Sequence, residues 1–317
     1  MGTLYQKAFK QTDDQPIDHL KDLPHQFPRR GDLAVDLLRA EVSGLEQYVG
    51  KSKLRRVDHY SRMALLAAGR ALEDSKFPSA SRERTSVIVA TGYGALKSTF
   101  SFLDSYIEKG DKLALPTHFS NSVHNAAAAH ISICYEISGP TLTVSQFDLS
   151  FISALITAGT WLETEKTDAV LVGAVDEWCE LTGYCMQRFS KHSDTSPPSF
   201  GEGAIFFLVT REKTTPPQHG FFKEITMGRE IAKKDHTPGD IIFSPSTAAL
   251  SPDTEPCTLE TIPGALKRKR GGSPTDMGMD AFFAFKSKAD NGLEVCCLKQ
   301  GEGGIFGKVV LTISRKM

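Results

Sequence analysis

Apolar positions in the first two thirds of the chain fall into two alternating kinds of run. Val57, Met63, Ala64, Leu66, Ala67, Ala71 and Leu72 recur at helical spacing, with Asp58 or Ser61 placed to cap the helix, and Pro78 closes it after Asp74–Phe77. Ser86–Thr91 is a continuous β-branched stretch of the kind found in a parallel strand buried on both faces. Gly92-Tyr93-Gly94 then turns the chain into a second helical stretch, Leu96–Lys109. The middle of the chain predicts a helix over Ser122–Tyr135, a turn at Ser138-Gly139-Pro140, a strand over Thr141–Ser145, a helix over Leu149–Leu162 and a strand over Ala169–Gly173. Gly201-Glu202-Gly203-Ala204 leads into one more apolar strand, Ile205–Val209. Strands alternating with helices of this length imply an α/β fold with a parallel sheet covered on both faces.

The pattern changes at about Thr214. Pro216, Pro217, Pro238, Pro245, Pro252, Pro256, Pro263 and Pro274 punctuate the rest, and periodicity weakens. Strands near Phe221–Ile225 and Ile241–Phe243, a helix near Met279–Ser287 and a final hairpin over Leu293–Ile313 are expected there. A short strand, Leu4–Phe9, opens the chain before a polar stretch to about Gly50. The chain therefore divides into residues 1–214 and residues 215–317.

Composition narrows the function classes. The 317 residues are 40% hydrophobic and 24% charged, which suits a folded chain. The 37 Lys+Arg against 38 Asp+Glu leave a net charge of −1, so a general nucleic-acid surface is not expected. No apolar run reaches the roughly 18 residues a membrane span needs. Met1-Gly2-Thr3-Leu4-Tyr5-Gln6 carries no export signal and no myristoylation pattern, so the expected location is cytoplasmic. Cys134, Cys179, Cys185, Cys257, Cys296 and Cys297 show no zinc or disulfide spacing and read as reduced thiols. His118, His124 and His130, six apart, fall on different helix faces and read as structural, so no metal site and no cofactor are expected. Gly92-Tyr93-Gly94 lacks the third glycine of a dinucleotide loop.

Four motifs, in order, carry a resemblance. They are Asn125-Ala126-Ala127-Ala128-Ala129-His130-Ile131-Ser132, Gly139-Pro140-Thr141-Leu142-Thr143-Val144-Ser145, Asp168-Ala169-Val170-Leu171-Val172-Gly173-Ala174-Val175-Asp176-Glu177 and Gly201-Glu202-Gly203-Ala204. Together they resemble the β-ketoacyl synthase family of the thiolase superfamily. The resemblance implies a thiolase-like layered αβαβα sandwich with mixed sheets. Residues 1–214 correspond to the N-terminal half, and residues 215–317 to a shortened C-terminal half. Gly301-Glu302-Gly303-Gly304-Ile305-Phe306-Gly307 resembles the glycine-rich final hairpin of that family.

The family's catalytic residues do not carry over. Where the resemblance places a nucleophilic cysteine at a helix tip, the chain has Asp148, within Ser145-Gln146-Phe147-Asp148-Leu149-Ser150. A carboxylate there cannot form a thioester, and a helix N-cap is the preferred reading of it. Ile241-Ile242-Phe243-Ser244-Pro245-Ser246-Thr247 stands where the family has a histidine strand, and neither His219 and His236 downstream of Glu202 sits in the family's histidine motifs. The resemblance thus implies a β-ketoacyl synthase homologue without the Cys-His-His set, of the chain-length-factor type. Such a subunit forms a dimer with an active ketosynthase in fatty-acid or polyketide-type biosynthesis, where it helps set product length, and an acyl carrier protein is a possible second partner. Within it, His118, Phe119, Ser122, Val123, Asn125, Thr143, Ser145, Gln146 and Phe147 would line the acyl pocket and dimer interface. Two alternatives remain open: an acyltransferase or condensing enzyme with an atypical site built on Asp148 or a cysteine, and a homodimeric module that binds acyl groups or carrier protein. Asp176 and Glu177 read as structural, and Lys267–Arg270 as a solvated loop before a carrier-protein dock.

Overall fold

The computed structural model describes residues 37–38, 40–76, 78–110, 112, 114–179, 181–183, 200–211, 219–228, 294–300 and 305–313. The expected elements at Leu4–Phe9, Ile241–Phe243 and Met279–Ser287, and the run Lys267–Arg270, lie outside these residues.

After the two-residue strand β1 (Leu37–Leu38) and the single helical turn α1 (Lys51–Leu54), the first long element is α2 (His59–Ser75). Asp58 is its cap: its backbone is extended and its carboxylate accepts the Ser61 N–H at 3.0 Å, a contact that contributes roughly 0.5–2 kcal/mol. The far end closes on Lys76 in the left-handed region (φ 52°). Strand β2 (Thr85–Thr91) follows, and all seven of its residues are buried.

Helices α3 (Leu96–Lys109), α4 (Pro116–Ser122) and α5 (Ala126–Tyr135) precede strand β3 (Thr141–Ser145). The single helix expected over Ser122–Tyr135 is thus two helices broken at Val123–Asn125. Pro116 starts α4 at a position that needs no amide. Its last turn is then loosened by hydroxyls: Ser120 and Ser122 donate back to the carbonyls of Thr117 and Phe119 at 3.0 and 2.8 Å.

Helix α6 (Ser150–Glu163) leads to β4 (Ala169–Asp176), also wholly buried; β5 (Phe200–Gly201) and β6 (Gly203–Thr210) follow. The main sheet has the order β3-β2-β4-β6. β2 runs parallel to β3 and β4, whereas β6 is antiparallel to β4, from Ala169↔Thr210 to Asp176↔Gly203. The sheet is therefore mixed. Alternation along β2 and β4 sends Val87, Val89 and Leu171 to one face with Met63 and Leu65 of α2 and Ile131 of α5. It sends Ile88, Ala90, Val170 and Val172 to the other, with Phe151, Ile152 and Leu155 of α6. Each such fully buried side chain contributes roughly 1.5–3 kcal/mol.

A second sheet lies beyond α6. It is antiparallel, in the order β7-β9-β8, from β7 (Gly220–Gly228), β8 (Glu294–Gln300) and β9 (Phe306–Ile313). Cys297, Val309 and Leu311 share the buried core of α6, with Phe222 and Ile225 packed against it. Gly307 is required here: a Cβ on it would fall 1.8 Å from the Ile152 side chain. So α6 is buried between two sheets, giving helix, sheet, helix, sheet in successive layers, as the layered α/β sandwich requires. The hairpin expected over Leu293–Ile313 is the β8–β9 pair.

Candidate functional site

β3 and α6 meet at a sharp elbow. Gln146 leaves the strand, Phe147 takes a left-handed backbone (φ 44°), and a tight turn over Phe147–Leu149 hands the chain to α6 at Ser150. A left-handed phenylalanine is strained by roughly 1–2 kcal/mol, so neighbours must hold it. Ser150 is one of them. Its buried hydroxyl accepts the Gln146 N–H at 2.8 Å, and its proton lies between the carbonyls of Thr91 (2.9 Å) and Phe147 (2.6 Å). This corrects the capping role expected of Asp148. The cap position of α6 is Leu149, with no side-chain cap bond, because the inserted turn puts Asp148 in its own middle, half-buried.

Around the elbow, the Gln146 carboxamide oxygen accepts a short hydrogen bond from Ser153 Oγ of α6. Its nitrogen and Ser153 Oγ both lie 4.0 Å from Met227 Sδ, on β7 of the other sheet. Tyr93 meets Phe147 edge-on at 6.1 Å between ring centroids, leaving Phe147 53% exposed. Ser145 donates weakly to the Gly92 carbonyl at 3.4 Å. His124 covers Gly94, whose left-handed backbone (φ 67°) and missing Cβ admit the ring.

The 91–93 turn is fixed from below. Asp176, at the end of β4, accepts from Thr91 Oγ1 (2.8 Å), Gly92 N–H (2.9 Å) and Tyr93 N–H (3.1 Å) through one oxygen. Glu202, between β5 and β6, accepts from the Ala40 and Trp178 amides and faces His59 Nε2 at 2.9 Å. Burial pushes the Glu202 carboxyl up, but the His59 hydrogen bond and charge, with the two amides, outweigh it and hold the group below its ordinary value.

The other expected site residues form a separate patch. His118, Phe119 and Ser122 lie on α4, with Val123 and Asn125 in the break after it. Phe119 packs on Phe102 of α3 at 5.2 Å yet stays 57% exposed, and Thr99 donates to the Ser122 carbonyl at 3.0 Å. Thr143 and Ser145 stand on β3, the outer strand of the main sheet among the described residues, opposite Val89 and Thr91. The structure thus brings Ser145, Gln146 and Phe147 to the elbow and sets the α4 residues along the flank. Sequence reasoning missed Ser150, Ser153, Tyr93 and Met227. The first two carry no motif, and Met227 is brought in by the second sheet. Among the described residues no group of three or more His, Cys, Asp and Glu is arranged to hold a metal. His130 instead pairs with Asn121 Oδ1 at 3.2 Å. No described helix is long and apolar enough to cross a membrane.

A family model describing the β-ketoacyl synthase N-terminal domain matches residues 6–204. The chain belongs to the β-ketoacyl synthase family. This synthase homologue is 25% identical over 134 residues to 3-oxoacyl-(acyl-carrier-protein) synthase 2 of Vibrio cholerae, a match covering 42% of this chain and 32% of that protein. It thus spans about a third of the length of that curated relative. Among solved structures, the ishigamide ketosynthase/chain length factor superposes with a TM-score of 0.66 at 17% identity, over 87% of this chain and 86% of that one. A type II polyketide-synthase acyl-carrier protein in complex with its ketosynthase bound to the hexaketide gives 0.68 at 13% identity, over 88% and 91%. A β-ketoacyl synthase from Burkholderia phymatum gives 0.59 at 13%, over 84% and 85%. These likenesses establish the thiolase-like fold of the synthase homologue. Its elbow joins the Gly139–Ser145 strand to the buried helix, and Asp148 stands in the turn between them.

Proposed function

We propose that the chain is a non-catalytic ketosynthase-like subunit of the chain-length-factor type, which pairs with an active β-ketoacyl synthase in fatty-acid or polyketide-type biosynthesis. One observation carries this reading: Asp148 stands in the turn of the elbow, at the position where the family resemblance implies a nucleophilic cysteine. Claisen condensation through an acyl-enzyme needs a nucleophile that can hold and release a thioester, and a carboxylate does not provide one. The described cysteines lie elsewhere: Cys134 on α5, Cys179 after β4, Cys296 on β8, and Cys297 beside it, buried between α6 and the second sheet.

Pairing is supported by the flank. β3 has one strand neighbour among the described residues, and its outer edge, Thr141–Ser145, carries no charge, proline or bulge to block a further strand. Leu103, Tyr106, Ile107, Leu115, Phe119 and Val123 are exposed on α3, α4 and their connections. A second copy of the same fold laid edge to edge would cover this apolar surface. In this reading residues 1–214 supply the elbow and the pairing edge, and residues 215–317 a shortened second half. An acidic acyl carrier protein is the second partner, steered by the exposed cations Lys53, Arg55 and Arg56.

Co-expression with a cysteine-containing ketosynthase tests the reading. A stable complex whose product length changes with Phe119→Ala is expected; a monomer indifferent to every such partner overturns it. Incubation with acyl thioesters followed by mass spectrometry should leave the chain unmodified. A covalent adduct lost on Asp148→Asn or on one cysteine substitution would establish the atypical enzyme instead. A homodimer with bound acyl ligand and no effect on product length would establish the binding module.

A further inference from the structure

Away from the elbow, where β4 leaves the main sheet, four carboxyl groups crowd one corner. Three are held by donors. Asp58 accepts from the Ser61 amide (3.0 Å) and Ser98 Oγ (2.7 Å), Asp176 cradles the 91–93 turn, and Glu202 ties Ala40, His59 and Trp178 together. Glu177 differs. It is 3% exposed, and its Oε2 meets no hydrogen-bond partner among the described residues; Asp176 Oδ2 is likewise without one, but the other Asp176 oxygen takes the three hydrogen bonds of the turn. A carboxylate in that position would be buried without compensation, which a carboxyl avoids by staying protonated.

The groups facing it are Asp58, His59 and the buried Tyr60 at the start of α2, Lys97 at the start of α3, Glu202 between β5 and β6, and Asp176 beside it on β4. Glu177 opens the segment that crosses this corner. In that segment the Trp178 amide is held by Glu202 at 3.3 Å, the Trp178 indole is buried, and Gly183 N–H closes a turn on the Cys179 carbonyl at 3.1 Å.

We propose that Glu177 is a proton-operated latch on this segment. Neutral, it keeps Trp178, Cys179 and Thr182 packed against the corner; ionised, it is expelled toward water and Trp178 leaves Glu202. Burial first, then the Asp58 charge, push its pKa up to about 7, with Glu202 adding to the rise and His59 and Lys97 opposing it. The sign follows. The folded-state pKa lies above the ordinary carboxyl value of about 4.3, so the latch is fully closed at acid pH and its hold is lost as pH rises through about 7. Asp176 is the adjacent residue, and Tyr93, which it fixes, touches Phe147. The latch therefore stands two contacts from the elbow, and it is independent of how the elbow is read.

The two tryptophans of the chain, Trp161 and Trp178, make the test direct. In the full chain carrying W161F, Trp178 is the sole indole. Its emission should shift to the red between about pH 5 and about pH 9, with a midpoint near 7. The shift should vanish when E177Q, which mimics the neutral carboxyl, is added. A flat profile with Glu177 present, or an unchanged shift with E177Q, overturns the latch. Amide exchange in the unmutated chain guards against misfolded variants. Corrected for intrinsic rates, exchange at Trp178 and Gly183 should accelerate above about pH 7 relative to Leu171 in β4, and equal pH dependence at these sites overturns the proposal as well.

Discussion

Two strand ends meet at the 91–93 turn, and they are built in opposite ways. At the end of β4, one oxygen of Asp176 takes three hydrogen bonds, two of them from backbone amides, and the residues around it are buried. At the end of β3, Phe147 is held in a left-handed backbone with its ring half in water, and Asp148 and Gln146 sit beside it. The first end uses polar groups to hold the backbone still. The second uses that stillness to present side chains in a conformation they would not adopt alone. Display at a strained turn requires a rigid support next to it, and here the two are joined through one residue, Tyr93.

Substitutions that remove the support should cost most. Asp176→Ala strands the Thr91 hydroxyl and the Gly92 and Tyr93 amides, and should lower unfolding free energy by about 3–5 kcal/mol in urea titration; a loss below about 1 kcal/mol would mean the turn holds itself. Ser150→Ala acts on the display side, taking away the acceptor of the Gln146 amide. It should cost about 1–3 kcal/mol, less than the support. Phe147→Gly relieves left-handed strain while losing the Tyr93 edge contact. The two effects offset, so the midpoint should stay within about 1 kcal/mol of the parent protein. A larger loss would show that the exposed ring is a packing element rather than a presented one.

The smallest effect concerns His130, outside both ends. Burial holds its imidazole below the ordinary pKa, so it contributes stability above that value that is lost as pH falls. His130→Gln should therefore lose less melting temperature than the parent protein on going from about pH 7 to about pH 5. Glu177 has the opposite slope, and comparing the two single variants separates them.

Much of this was legible in the chain itself. β2, β4 and α2 each repeat their pattern over seven or more residues, so local periodicity fixes element, face and burial together. The Gly139–Ser145 and Asp168–Glu177 motifs placed the elbow and the family, because close backbone approach leaves few residue choices. A Cβ at Gly139 would fall 2.0 Å from the Thr85 carbonyl, and one at Gly173 2.3 Å from the Ile205 carbonyl. The break between α4 and α5 escaped notice, since it arises from serine hydroxyls competing for the helix's own carbonyls and from Asn121 bonding the Arg56 carbonyl 65 residues away.

The capping role expected of Asp148 failed for a related reason. An aspartate two residues before a helix reads as a cap only if nothing intervenes. Whether a tight turn is inserted depends on Ser150 reaching Thr91 on another strand. Likewise Met227 joins Gln146 and Ser153 only because α6 is buried between two sheets. Sequence by itself determined the main-sheet strands β2, β3, β4 and β6, the long helices α2 and α6, and the family. Tertiary structure decided what the elbow side chains touch and which of four crowded carboxyl groups lacks a donor. Those outcomes depend on hydrogen bonds between residues far apart in the chain, which short-range patterns do not encode.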